Sequence, residues 1–180
     1  MTKIRPATDA DMSAITLIYA HHVLHGTGTF ETTPPTKEDM TARRADVLAK
    51  GLPYLVMEDT TGLQGFAYCN WFKPRPAYRF SAEDSIYLAP GSAGKGLGKL
   101  LLVELMAQAE RCGIRKLIAV IGDSANAGSI GVHQACGFNK VGVLTDCGWK
   151  FNRWLDVVLM ERAIGPGSTT APSDIKKSEG

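Results

Sequence analysis

Long hydrophobic runs are absent from this 180-residue sequence. The longest uninterrupted aliphatic run covers residues 117–121, whereas a membrane-spanning helix needs about 18 apolar residues. Arg5, Asp9 and Asp11 interrupt the first 12 residues, so the apolar segment of a secretion signal is missing there. These absences predict a protein that has no membrane span and works in the cytoplasm.

The sequence also has no large excess of charge of one sign. It contains 20 Lys and Arg residues and 18 Asp and Glu residues, which gives a net charge of +2. Nucleic acids and membrane surfaces attract strongly basic proteins, so neither is predicted as a partner. The four cysteines, at positions 69, 112, 136 and 147, form no C-x-x-C pair. This spacing favours buried thiols over disulfides or a zinc site, and we predict no bound metal.

The chain has the length of one domain with a short extension. Ten of the sixteen residues from 165 to 180 are Gly, Pro, Ser or Thr, a composition typical of segments without a packed core. We therefore predict a single domain over residues 1–164 and a disordered tail over residues 165–180.

Strand-like and helix-like patterns alternate along the domain, which predicts an α/β fold with a mixed sheet rather than a barrel or a helical bundle. Thr8 has the position of a helix cap, with Asp11 three residues later. The predicted helices cover residues 8–23, 36–50, 98–112 and 127–136. The predicted strands cover residues 3–5, 54–58, 63–72, 84–88, 116–121, 141–145 and 154–161.

Glycine is abundant, and it is concentrated in residues 91–99, between a predicted strand and an apolar helix. Glycines let backbone N–H groups turn toward one point, and the dipole of the following helix favours an anion there. The loop is not a Walker A sequence, because Gly96 follows Lys95 and Leu100 follows Lys99. Nor is it a dinucleotide fingerprint, since Lys99 occupies the place of the third glycine. The pattern indicates either another phosphate ligand or a tight connection alone.

Gly94, Gly96 and Gly98 form a G-x-G-x-G pattern that resembles the pyrophosphate loop of the GNAT acyltransferase superfamily, which binds acetyl-CoA. A second pattern, N-x-x-S-x-x-x-H-x-x-x-G-F, resembles the superfamily's second CoA-binding segment. Its residues are Asn126, Ser129, His133, Gly137 and Phe138. The resemblance implies a GNAT-like fold: a mixed, mostly antiparallel central sheet with splayed parallel strands, flanked by helices.

Within the superfamily, the sequence is most similar to the phosphinothricin and methionine sulfoximine N-acetyltransferases, over residues 4–161. The shared segments are residues 4–8, 30–32, 75–78, 83–87, 119–122 and 154–157. Ala93 departs from this group, whose members usually carry a bulky polar residue just before the loop glycine, so a weaker phosphate contact is expected there. The resemblance also implies a homodimer.

Three residues are predicted to carry the chemistry. Glu83 is the candidate base that takes a proton from the amine, through a water molecule, with Asp84 as the adjacent competitor. The backbone N–H of Leu88 is the candidate donor to the oxyanion. His133 is the candidate acid for the departing thiolate. The alternatives are a solvated carboxylate at the start of a strand and a histidine packed against the sheet.

The resemblance also implies two sets of binding residues. The predicted acetyl-CoA contacts are Leu88, Ala89, Gly94, Lys95, Gly96, Gly98, Lys99, Asn126, Ser129 and His133. The predicted substrate contacts are Phe30, Glu31, Thr32, Arg75 and Tyr78. Arg75 is suited to a carboxylate, since a guanidinium donates two parallel hydrogen bonds, although each of the five also fits a loop surface.

These features predict an acetyl-CoA-dependent N-acetyltransferase acting on the α-amine of a small amino acid or analogue of the phosphinothricin or methionine sulfoximine type. The amine would attack the thioester directly. One alternative keeps the chemistry but directs it to protein N-termini, lysines or polyamines. Another, of a different class, is a non-catalytic CoA-binding sensor, which the presence of both Glu83 and His133 disfavours.

Overall fold

The fold is built on one mixed sheet, seen in a computed structural model that describes residues 2–172. Within those residues the strands are β1 (Lys3–Pro6), β2 (Tyr54–Asp59), β3 (Gly62–Trp71), β4 (Ser81–Leu88), β5 (Lys116–Gly122), β6 (Asn139–Lys150) and β7 (Arg153–Ala163). The α-helices are α1 (Met12–His25), α2 (Lys37–Ala49), α3 (Leu97–Arg111) and α4 (Ala127–Ala135). Short 3₁₀ turns cover Asp9–Asp11 and Pro76–Tyr78.

Neighbouring strands follow the order β1-β2-β3-β4-β5-β7-β6, and the helices pack on this sheet. The strand pairs are antiparallel except β4 with β5, which run parallel. The parallel pairing ends at Asp84 and Ala119, although β4 continues to Leu88 and β5 to Gly122. The two strands therefore separate toward their carboxyl ends, and the predicted sheet with splayed parallel strands is confirmed.

The start of α1 is fixed by polar contacts close in sequence. Thr8 and Asp11 form the predicted capping box, in which the backbone N–H and hydroxyl of Thr8 donate to Oδ2 of Asp11 at 2.7 and 2.8 Å. Arg5 donates to Asp11 and also to Glu58 of β2. The Arg5 guanidinium holds the pKa of Asp11 well below its usual range. The helix is thereby tied to the β1–β2 edge.

The glycine-rich loop is positioned by the packing of α3. Leu101, Leu102, Leu105 and Ala109 lie on one face of the helix and are fully buried. This face packs on β3 and β4. Burial of an apolar stripe fixes the helix in rotation and position, so the loop that precedes α3 is held at the end of β4.

The hairpin formed by β6 and β7 is longer than the sequence predicts. The structure has β6 over Asn139–Lys150, whereas the sequence pattern ended that strand at residue 145. An irregularity in the register between Leu144 and Gly148 interrupts the alternation of side chains between the two faces of the sheet. A search for alternation with a period of two therefore misses the second half of the strand. Gly148, Trp149 and Lys150 pair again with β7.

Residues 165–170, which the sequence assigned to a disordered tail, form turns closed by hydrogen bonds from Gly167 N–H to Ile164 and from Thr169 N–H to Pro166. Arg115 donates to the carbonyl of Gly167 at 3.4 Å and to the hydroxyl of Thr170 at 3.2 Å. Residues 173–180 of the predicted tail lie outside the described residues. The division at residue 164 stays a prediction.

The four cysteines are free thiols. Cys69 and Cys136 are buried, but the prediction of burial is wrong for Cys112 and Cys147, which are exposed. Across residues 2–172, no group of three or more His, Cys, Asp and Glu side chains is arranged to hold a metal ion. In the same part of the chain, none of the helices combines the length and the apolar composition of a membrane span.

Candidate functional site

A cleft of about 1050 Å³ opens where β4 and β5 separate. The glycine-rich loop, the start of α3, α4 and the loop after α1 complete its walls. Many of the sequence-predicted site residues line it: Phe30, Glu83, Leu88, Gly94, Gly96, Gly98, Lys99, Asn126, Ser129 and His133. Others lie outside the lining: Glu31, Thr32, Arg75, Tyr78, Ala89 and Lys95. The splay therefore brings the two predicted CoA segments and the candidate base to one cavity.

The glycine-rich loop has a backbone that only glycine adopts easily. Gly91, Gly94 and Gly96 have φ of +80°, +78° and +75°, in the left-handed region. Gly96 directly precedes the first turn of α3, where backbone N–H groups have no partner inside the helix. Ser92 anchors the loop, because its hydroxyl donates to the side-chain oxygen of Gln64 at 2.7 Å. The result is a cradle for an anion at a helix N-terminus, with Lys99 in the first turn.

The end of β4 lies beside the cleft, beyond the last residue pair that it forms with β5. Ala89 N–H donates to the carbonyl of Gln64 in β3 at 2.8 Å. Because hydrogen bonds alternate along an antiparallel pair, the N–H of Leu88 points the other way, toward the opening beside β5. This direction suits the predicted donor to an oxyanion and the pairing of an extended ligand chain with β4.

His22 of α1 is a cleft residue that the site predictions missed. Its Nε2–H donates to the carbonyl of Leu88 at 2.8 Å, and its ring packs beside that of Tyr87 with 5.3 Å between ring centroids. Burial lowers the pKa of His22 and favours the neutral imidazole. In the sequence, His22 lies on the apolar face predicted for the first helix. That position is equally consistent with packing in the core.

Glu83 has the features of a general base. Its side chain lines the cleft, and within residues 2–172 no protein group donates a hydrogen bond to its carboxylate. Burial raises the pKa of Glu83, and the neighbouring charge of Asp84 raises it further, against a smaller opposing effect of Lys73. A carboxylate with a raised pKa is a better proton acceptor than a solvated one.

Asp84, the competing candidate base, is engaged by His133. Nε2 of His133 donates to Oδ2 of Asp84 at 2.8 Å, and Nδ1 donates to the carbonyl of Ser129 at 2.7 Å. The two side chains are only 2% and 1% exposed. Burial alone would lower the pKa of His133, but the hydrogen bond and charge of Asp84 outweigh it and raise that pKa.

The role that the sequence suggested for His133, the acid for the departing thiolate, stays a prediction. Both ring nitrogens face acceptors, the carboxylate of Asp84 and the carbonyl of Ser129, and the imidazole also lines the cleft. His133 joins α4 to β4 across the opening through its bond to Asp84, whereas within residues 2–172 Glu83 accepts no such bond.

The loop between α1 and α2 is held against the sheet. The ring of Phe30 lies against Gly122 and Gly148, where a Cβ atom would stand 2.8 and 2.3 Å from ring carbons. Nζ of the buried Lys150 donates to the carbonyls of Gly26 and Thr29, both at 2.8 Å. Phe30 is thus wedged into the wall of the cleft, and its ring closes one side of the cavity.

The remaining substrate candidates lie elsewhere in this structure. Glu31 accepts hydrogen bonds from Tyr19 at 2.8 Å and from Arg43 at 2.6 Å, which hold its carboxylate on α1 and α2. Thr32 lines a separate cavity of about 160 Å³. Arg75 and Tyr78 are exposed in the β3–β4 connection, away from the lining of the cleft. The role of these residues in substrate binding stays a prediction.

The family assignment comes from a model of the acetyltransferase (GNAT) domain that matches residues 4–159. The chain belongs to the GNAT family. This acetyltransferase is 52% identical, over 94% of its own length and 86% of the relative's, to the phosphinothricin N-acetyltransferase of Alcaligenes faecalis. It is 36% identical, over 88% and 92% of the two chains, to the L-methionine sulfoximine/L-methionine sulfone acetyltransferase of Salmonella typhimurium.

A solved structure agrees with this GNAT assignment. The crystal structure of a phosphinothricin acetyltransferase from Sinorhizobium meliloti, in complex with acetyl-CoA, superposes with a TM-score of 0.93 and 43% identity. The match covers 96% of this chain and 94% of that one. The predicted membership of the GNAT superfamily, close to its phosphinothricin and methionine sulfoximine enzymes, is confirmed.

Proposed function

We propose that this GNAT enzyme transfers the acetyl group of acetyl-CoA to the α-amine of a small amino acid or analogue of the phosphinothricin or methionine sulfoximine type. Two groups of β4 that line the same cleft carry the proposal. One is the partly buried carboxylate of Glu83, which accepts no protein hydrogen bond within residues 2–172, and the other is the N–H of Leu88, which points away from β3. The names of the similar proteins from Alcaligenes and Salmonella support this class of substrate.

The residues of the cleft fit acetyl-CoA. The glycine cradle with Lys99 suits the pyrophosphate, and the open edge of β4 at Leu88 suits an extended chain with amide groups. Asn126 and Ser129 lie at the start of α4 on the same cleft, where Asn126 already caps the helix through a bond from Ser129 N–H at 3.2 Å. When bound, acetyl-CoA supplies a thioester carbonyl as the acyl donor.

The chain's own groups then perform two tasks. Glu83 accepts a proton from the incoming ammonium, directly or through water, because only the neutral amine can attack a carbonyl. The N–H of Leu88 donates to the oxygen that becomes negative during the attack. His22 donates to the carbonyl of Leu88, in the next peptide group, and so helps to hold the end of β4 in place.

A thiol-release assay tests the substrate class. With acetyl-CoA present, we expect L-phosphinothricin and L-methionine sulfoximine to give the highest kcat/KM, because the similar proteins from Alcaligenes and Salmonella are named for these acceptors. Polyamines, lysine and peptide N-termini are compared in the same assay. Preference for a peptide or a polyamine would contradict the proposal, and CoA binding without thiol release from any acceptor would support the sensor alternative.

We also propose that the enzyme is a homodimer that acts in the cytoplasm. Supporting the dimer, the β6–β7 hairpin at the edge of the sheet carries large apolar side chains that are about half exposed. They are Val141, Leu144, Trp149, Phe151 and Trp154. Patches of this kind mark protein interfaces. The free cysteines fit a reducing compartment.

Light scattering at micromolar concentration is expected to give twice the mass of one chain. Trp154→Glu should shift the enzyme toward the monomer, because Trp154 stands beside Trp149 on the hairpin with 5.3 Å between ring centroids. Leu17→Glu is the matched control, since Leu17 is also exposed but lies on α1. A monomer mass for the unmodified enzyme would overturn the dimer.

A further inference from the structure

The peptide group at the end of β4 is held from two sides. The N–H of Ala89 donates to the carbonyl of Gln64 at 2.8 Å, and the carbonyl of Leu88 accepts a hydrogen bond from Nε2–H of His22, also at 2.8 Å. Both of these groups belong to the peptide unit that joins Leu88 to Ala89. The next residue, Pro90, has no N–H with which to extend the pairing. The two bonds therefore fix the point where β4 ends.

His22 reaches this peptide group from α1, 66 residues earlier in the chain. It lines the cleft, as Leu88 does, and its ring packs beside that of Tyr87. Leu88 lies beyond the last residue pair that β4 forms with β5, so β5 does not support this edge of β4. The hydrogen bond from His22 takes the place of a neighbouring strand there.

Leu88 has no room to move toward β3. It lies opposite Gly65, where a Cβ atom would stand 2.7 Å from the carbonyl oxygen of Tyr87 and 2.9 Å from a side-chain carbon of Leu88. The remaining direction leads out of the sheet edge, into the opening beside β5. The carbonyl of Leu88 points to that side, as its N–H does, and there it meets His22. The imidazole therefore opposes the one displacement that the packing leaves open.

The ring of His22 is itself well fixed. α1 ends at His25, and the N–H of Gly26 closes the last turn on the carbonyl of His22 at 2.9 Å. Burial lowers the pKa of His22, so the ring is neutral and carries one N–H. That N–H is on Nε2, because the carbonyl oxygen of Leu88 can only accept. His22 thus commits its single donor to the backbone of β4.

We propose that His22 is the positioning residue of the oxyanion donor, because its hydrogen bond to the carbonyl of Leu88 keeps the N–H of Leu88 aimed into the cleft. The inference rests on the proposed function. The N–H belongs to the preceding peptide group, and the two peptide groups share the Leu88 Cα atom. A strand end that is released at the second group lets the first one turn. A donor to an oxyanion is effective only when its direction is fixed before the reaction.

The test compares two replacements of His22. His22→Leu removes the donor, whereas His22→Gln keeps an N–H on a side chain of similar reach. We expect His22→Leu to lower kcat by roughly 10- to 100-fold, less than the cost of about 10²- to 10³-fold for removing a whole oxyanion donor, because the N–H is misdirected and not lost. His22→Gln should stay within about threefold of the unmodified enzyme, and the Kd of acetyl-CoA should change less than kcat in both variants.

His21→Leu is the matched control, since His21 is an exposed neighbour on the same helix, with 5.8 Å between the two ring centroids. It should keep full kcat. If His22→Leu does not fold, His22→Asn replaces it, because the shorter amide side chain cannot reach the carbonyl of Leu88.

The infrared band of the thioester carbonyl gives a readout that a general loss of packing would not produce. Acetyl-CoA labelled with a heavy isotope at that carbonyl carbon is bound to each variant without an acceptor. A hydrogen bond from the N–H of Leu88 lowers the stretching frequency of the carbonyl. We expect His22→Leu to raise and broaden the band, and His22→Gln to leave it in place.

Three outcomes would overturn the inference. The first is an unchanged kcat in His22→Leu. The second is an equal loss of kcat in His22→Leu and His22→Gln with the carbonyl band unmoved in both. The third is a loss confined to the affinity for acetyl-CoA, which would assign His22 to the co-substrate. The proposed function is judged separately: it fails if the unmodified enzyme acetylates no free amino acid, while the infrared comparison needs no acceptor and still decides the role of His22.

Discussion

Replacing Glu83 by glutamine is expected to lower kcat by about 10² to 10⁴, the usual contribution of a positioned general base. Glutamine keeps the size of the side chain but cannot accept a proton from an ammonium group. Because Glu83 accepts no hydrogen bond from a protein group in the described part of the chain, the exchange breaks no structural contact there. The affinity for acetyl-CoA, measured by calorimetry, should be unchanged.

The pH dependence of the Glu83 variant gives an independent readout. Burial and the charge of Asp84 raise the pKa of Glu83 above that of an ordinary glutamate. A base works only when deprotonated, so the rate of the unmodified enzyme should fall as pH drops through this raised pKa, and Glu83→Gln should lack that limb. The difference in kcat should shrink at high pH, where a growing fraction of the substrate amine is already neutral.

Glu38→Gln, an exposed acid on α2, serves as the control and should keep full activity. The measurement requires conditions in which chemistry, rather than product release, limits turnover. If Glu83→Gln retains most of its kcat at pH 7 under those conditions, the base is not Glu83. Asp84 is then a poor substitute, because His133 occupies its Oδ2.

Replacing Gly96 by valine should abolish acetyl-CoA binding. Gly96 has φ of +75°, and a Cβ atom added there would meet no atom within 4 Å. The damage is therefore conformational: a β-branched residue avoids the left-handed region, so the loop must change its path and its N–H groups lose their common direction. Calorimetry with acetyl-CoA measures the loss.

Gly51→Val is the matched control for this variant. Gly51 has φ of +71° and equally open surroundings, but it follows α2 and does not line the cleft. Both variants should lose similar thermal stability, and only Gly96→Val should lose acetyl-CoA. Unchanged affinity in a folded Gly96→Val protein would remove the glycine loop from the binding site.

His133 shows that a motif can place a residue at a site without revealing the partner that tunes its chemistry. The N-x-x-S-x-x-x-H spacing brings His133 to the cleft, one turn after Ser129 on α4. Its protonation, however, depends on Asp84, which is 49 residues away in sequence. The hydrogen bond and charge of Asp84 raise the pKa of His133, and the spacing of the motif does not reveal that partner.

Sequence by itself determined the elements whose causes are local. The Thr8–Asp11 capping box, the apolar stripe of α3 and the glycine run before it each act within a few residues, so each can be read from spacing. The two CoA segments and the resemblance over residues 4–161 then indicated the family, and with it the splayed sheet.

Only the tertiary structure decided which side chains meet. The bonds of His22 to Leu88, His133 to Asp84 and Arg153 to Asp123 span 66, 49 and 30 residues. Each joins a helix or a hairpin to the separated ends of β4 and β5. Their existence depends on how these elements pack, because a charged or polar side chain takes whatever partner the fold brings within about 3 Å. The spacing of residues along the chain does not reveal that distance.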